Sequence, residues 1–143
     1  MKKFVTIIIL FIVIICIIIY AYYNYKTEYN NINMQNVKFE NYYEKEIYGT
    51  DLATVINMAI DNNRKNEVMQ DEQGIYINNQ ENSINIQIKI TDNDTLYNME
   101  TLYNAGMENF VKYYNTIKFK CTKIEYHQKT KKVSYLYFEQ ISE

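Results

Sequence analysis

The sequence predicts an α+β protein: an N-terminal transmembrane helix, then a small domain whose antiparallel sheet of about four strands, in two hairpins, is covered by helices. Three observations carry this. Phe4 to Ala21 is almost wholly apolar, with Thr6 as its clearly polar residue. Leu52, Val55, Ile56, Ala59 and Ile60 recur at helical spacing, the apolar stripe of an amphipathic helix. Ile84, Ile86, Ile88 and Ile90 alternate with Asn85, Gln87 and Lys89, a strand with one oily and one polar face.

Residues 1–24 form the expected anchor. At a helical rise of about 1.5 Å per residue, 18 to 20 residues cover most of a hydrocarbon core of about 30 Å. In lipid only a helix satisfies its own backbone. Tyr20, Tyr22, Tyr23 and Tyr25 then stand where an aromatic belt belongs, and Lys2 and Lys3 place the N-terminus in the cytoplasm. A cleavable signal peptide has an apolar core of about 7 to 15 residues and a small-x-small exit, whereas Ile19-Tyr20-Ala21 puts Ile at the first small position. An uncleaved anchor is therefore expected. A lipoprotein would need a small residue before its modified Cys, and Ile15 precedes Cys16. A pilin precursor would carry Gly before Phe4 and Glu at Ile8, and this chain has neither.

Residues 25–36 read as a polar, Asn-rich juxtamembrane stalk, and residues 37–143 as the extracytoplasmic domain. Val37 to Tyr48 shows mainly helical spacing, interrupted by Gly49. The helix over about 51–64 is supported by Thr50 as N-cap, Asp51 at the positive end of the helix dipole, and Arg64 and Lys65 at the negative end. Asn57 stands at the margin of its stripe. Val68 and Met69, a turn at Asp71 to Gly74, and "GIYI" lead into the alternating strand. Leu96, Met99, Leu102 and Tyr103 fit a helical stripe capped by Asp94 or Thr95, as do Met107, Phe110, Val111 and Tyr114; Gly106 either joins two helices or lies inside one. Ile117, Phe119 and Cys121 alternate, then shift phase to Ile124 and Tyr126, which predicts a bulge near Thr122 and Lys123. After the turn "HQKTKK", Val133, Tyr135 and Tyr137 share one face and Leu136 and Phe138 the other, so this strand is central or covered.

Composition limits function. The chain lacks Pro and Trp and has three Gly; its Asn, Ile, Tyr and Lys richness matches AT-rich codons, which points to a bacterial source. Catalytic groups are sparse. The one His, His127, reads as an exposed turn residue, and Cys121 as a half-buried strand thiol about 20 Å from it along an extended strand. Asp92, Asn93 and Asp94 resemble a calcium loop faintly, but Tyr97 and Tyr103 occupy the required Gly and Glu positions. No catalytic, cofactor or metal residue is therefore expected. Apart from Lys2 and Lys3, 13 basic groups face 17 acidic ones, which argues against nucleic acid. Lys118, Lys120, Lys123, Lys129, Lys131 and Lys132 nonetheless cluster in sequence. They are the candidate contacts for an anionic envelope polymer or lipid headgroups, with an edge strand protected by lysine as the plainer account.

The segments "GTDLATVINMAIDNN" and "CTKIEYHQKTKKVSYLYFE" resemble small uncharacterised single-pass membrane proteins of AT-rich Gram-positive bacteria. The resemblance spans most of the part after the anchor, has no diagnostic motif and implies no activity. The expected function is a non-enzymatic, membrane-anchored binding or assembly domain of the cell envelope. Its partners would be the bilayer and either an envelope polymer or another membrane protein. The alternative is a pilin-like or pseudopilin-like subunit.

Overall fold

In the computed structural model, which describes residues 2–91 and 94–141, the elements run α1 (Lys2–Glu40), β1 (Glu46–Tyr48), α2 (Gly49–Lys65), β2 (Asn85–Ile90), β3 (Thr95–Asn98), α3 (Met99–Ala105), α4 (Met107–Tyr114), β4 (Lys118–Tyr126) and β5 (Val133–Gln140). They fall into two units, Met1–Met34 and Gln35–Glu143. The first is a stretch of α1 whose most apolar 18-residue window has no residue buried within the chain. It is the one helix among the described residues long and apolar enough to cross a membrane.

The second unit is α+β, as its periodicities predict, but its sheet has five strands and is mixed. The order is β1-β4-β5-β2-β3, antiparallel throughout except that β2 and β5 run parallel. The expected first hairpin is absent. "GIYI" contributes a single bridge, Gln70 with Tyr76, and β2 pairs with β3 and β5 instead. A parallel neighbour requires a long crossover. Here β3, α3, α4 and β4 supply it, and nothing in the local pattern of β2 announces a partner so distant in sequence.

Two helical readings give way to strands. Tyr42 to Tyr48 leaves α1 through a turn, bridges Cys121 at Tyr43 and becomes edge strand β1. Thr95 to Asn98 pairs with β2, which exposes Leu96 and starts α3 at Met99. Neither predicted N-cap acts as one: α2 begins at Gly49 and α3 after Asn98, each without a side-chain cap. Gly49 is fixed by packing instead. A Cβ there would overlap the carbonyl group of Tyr114, and the Gly49 amide donates to Ile117 O at 3.0 Å. Gly106 joins α3 and α4 with φ 98°, a conformation suited to glycine.

The core lies between the helices and one face of the sheet. Leu52, Val55, Ile56, Ala59 and Ile60 of α2 and Met99, Leu102 and Phe110 of α3 and α4 are buried with Ile86, Ile88 and Ile90. Phe119, Cys121, Leu136 and Phe138 complete that face. β5 is the central strand. The predicted bulge is present as a register shift between Cys121 and Lys123, and a second lies between Glu125 and Tyr126. On the opposite face Tyr135 and Tyr137 stand in register with Asn85 and Gln87, and Tyr135 OH donates to Gln87 Oε1 at 2.9 Å.

Candidate functional site

Between β2 and the preceding helix the chain runs through "NNQENS", residues 78–83, and folds on its own amide side chains. Asn79 Oδ1 accepts from the amides of Glu81, Asn82 and Ser83, at 3.1, 3.0 and 3.0 Å, and Asn78 Oδ1 accepts from that of Gln80 at 2.8 Å. These are Asx turns: a short side chain satisfies backbone donors that regular structure would otherwise pair. Gln80 is held at φ 62°, an uncommon conformation for a residue with a Cβ.

The β4–β5 turn packs under this loop. His127, expected as an exposed turn residue, is 4 % exposed. Its Nε2 lies 2.7 Å from Ser83 O, and because a carbonyl only accepts, Nε2 carries the proton. Sequence could not show this, since the loop that covers the ring lies 44 residues away. Thr130 Oγ1 donates to Glu81 O at 2.6 Å, and Lys129 Nζ pairs with Glu81 Oε1 at 2.6 Å. The hydrogen bond and charge of Lys129 hold the Glu81 carboxyl below its ordinary range. From the other side Asn36 clamps the same turn: its Nδ2 donates to Lys131 O and its Oδ1 accepts from Val133 N, both at 2.9 Å.

Loop and turn enclose a polar cleft of about 530 Å³. Asn78, Gln80 and Glu81 line one wall, Glu125, Tyr126 and Gln128 the other, with His127 and Ser134 also at its surface. Tyr126 OH donates to Glu40 Oε1 at 2.9 Å, and burial together with that carboxylate pushes its hydroxyl up to about 12. The signal in the sequence was the run of Asn and Gln at 78–82, whose density exceeds what a plain turn requires.

The six lysines divide between two places. Lys118, Lys120 and Lys123 lie on β4, and Lys129, Lys131 and Lys132 on the turn beyond its end; Lys118 and Lys129 are about 25 Å or more apart at the rise of a strand. Carboxylates are interleaved with them. Lys118 pairs with Glu46 at 3.2 Å and Lys123 with Glu125 at 2.5 Å, while Lys120 stands in register with Glu46 and Glu139. Lys123 also lies over the Tyr135 ring, 5.5 Å from its centre.

Cys121 is fully buried rather than half-buried, and burial pushes its thiol up to about 11, which suits packing and not nucleophilic chemistry. Asp92 and Asn93 lie outside the described residues; Asp94 pairs with Lys89 at 2.6 Å. Among the described residues no three His, Cys, Asp or Glu side chains gather as metal ligands. A groove between α2 and α4 contains Asn57, Thr54, Met107 and Val111. Comparison with protein-family models, with curated proteins and with solved structures found no match.

Proposed function

We propose that this chain is a membrane-anchored binding or assembly domain of a bacterial cell envelope, without catalytic activity of its own. In this reading Phe4 to Ala21 crosses the lipid bilayer, Lys2 and Lys3 remain in the cytoplasm, and residues 35–143 lie outside. The observation that carries it is the exposure of the apolar stretch: Phe4, Ile7, Leu10, Phe11, Ile14 and Ile18 are all exposed on α1. A contiguous apolar surface of that size is tolerated in lipid or under a partner, and not in water. The flanking lysines support the orientation. The polar cleft is the binding site in this reading. The partner is an envelope polymer or another membrane protein, and no cofactor or nucleic acid takes part. Protease added to intact cells tests the placement: residues 35–143 should be digested from outside, and their protection would overturn it.

The pilin-like alternative has one observation in its favour. α1 extends to Glu40, and Asn36 and Phe39 near its end are buried in the sheet-bearing unit. A mature N-terminus at Phe4, read by mass spectrometry, would favour that subunit role over the plain anchor.

A further inference from the structure

We propose that the cleft between residues 78–83 and the β4–β5 turn binds a neutral glycan strand of the cell envelope, of the β-linked N-acetylhexosamine type. This rests on the reading of residues 35–143 as an extracytoplasmic binding domain. Four features select that ligand. The first is size: a cleft of about 530 Å³ lies within the range of about 300 to 1,000 Å³ usual for organic ligands, and is far larger than an ion needs.

The second is charge. Glu81 pairs with Lys129, Glu125 pairs with Lys123 just outside the lining, and Lys132 also acts on Glu81, so charges of both signs are mixed at the cleft and neither sign dominates it. The third is spare hydrogen bonding. The side-chain amides of Gln80 and Gln128 and the Nδ2 of Asn78 have no partner among the described residues. A carboxamide both donates and accepts, which matches sugar hydroxyls and acetamido groups, each able to do the same. The fourth is the wall itself, which has the half-exposed Tyr126 and no large aliphatic side chain. An aromatic body beside amides suits a sugar, with one apolar face and a polar rim, better than a lipid chain.

The cleft binds the glycan without cleaving it. Glycoside hydrolysis needs one carboxyl kept protonated as the acid and a second kept free as base or nucleophile. Here both carboxylates are tied to lysines, and Lys129 holds Glu81 in its ionised form.

The test uses the full chain in detergent micelles and isothermal calorimetry with chitotetraose, the β-1,4-linked N-acetylglucosamine tetramer; polyglycerol phosphate serves as the anionic comparison. Chitotetraose should bind, with no new reducing ends. The double variant Gln80→Ala/Gln128→Ala should bind about tenfold more weakly, the loss of two ordinary hydrogen bonds. Tyr126→Ala, which removes the aromatic wall, should weaken binding as well. Absence of chitotetraose binding, equal binding by the double variant, or preference for polyglycerol phosphate would overturn the glycan assignment. Co-sedimentation with purified cell wall separates the two levels. Wall binding without chitotetraose binding removes the glycan and keeps the binding domain; binding to neither removes both.

Discussion

The two sides of the sheet-bearing unit are held together by different physics. Under α2, α3 and α4 the contacts are apolar, and the sequence repeats them at regular spacing: Ile86, Ile88 and Ile90 against Leu52, Val55, Ile56 and Met99. Around residues 66–84 and the β4–β5 turn, polar side chains bind backbone groups directly. Asn63, fully buried, donates to Ile84 O at 2.7 Å and accepts from Ile84 N at 2.8 Å. Asn36 does the same across Lys131 and Val133, and the buried Glu100 accepts from Tyr76 N at 3.1 Å. Burial is non-directional and tolerates repacking, whereas a two-point amide clamp has one geometry. The second region is therefore the one able to hold an irregular cleft in shape.

Substitutions can sharpen or break that contrast, each read by denaturant unfolding of the full chain in micelles. On the apolar side, Phe138→Ala should cost about 3–5 kcal/mol, the usual loss for a fully buried aromatic. Gly49→Ala should cost about 3 kcal/mol, because the added Cβ meets the Tyr114 carbonyl and backbone yields little. A neutral result would mean that α2 and α4 are less closely seated than described. On the polar side, Asn63→Ala should cost about 2–3 kcal/mol by leaving the Ile84 amide and carbonyl unpaired. Asn63→Leu should not restore the loss; if it did, the clamp would be ordinary packing and the contrast would collapse.

The smallest effect concerns Glu100. Burial raises its carboxyl above the ordinary value of 4.5, the amide of Tyr76 only partly offsetting this. An acid whose folded value is raised contributes stability that is fully present below its unfolded value and lost as pH rises through the folded one. Parent stability should therefore decline from about pH 4.5 upward relative to Glu100→Gln, whose side-chain carbonyl still accepts from Tyr76. Parallel pH profiles for the two proteins would show that this carboxyl is hydrated.

The same contrast explains what the sequence disclosed. Helix α2, the strand at Ile84 to Ile90 and the bulge after Cys121 were legible because apolar periodicity is a local record of burial. The parallel pairing of β2 with β5 was not, because register between strands more than 40 residues apart leaves no local trace. His127 was misplaced for the same reason. The asparagines near 62–66 and 78–82 count in the sequence toward codon-driven Asn richness, yet Asn63 and Asn79 shape the chain around the cleft. Amides that replace backbone pairing carry no period, so pattern reading passes over them. The lysine cluster was legible as a run, but not the carboxylates of Glu46, Glu81 and Glu139 that strand and loop placement sets among its members.

The central place of β5 has a consequence for how the chain is made. Until Val133 to Gln140 is available, β1 with β4 and β2 with β3 are separate two-stranded pieces, and such pieces are marginal in water. Folding must wait for nearly the whole domain and then close contacts far apart in sequence, which slows it. The strand that enters late thus sits in the middle, and without Val133 to Gln140 no part of the sheet has more than two strands.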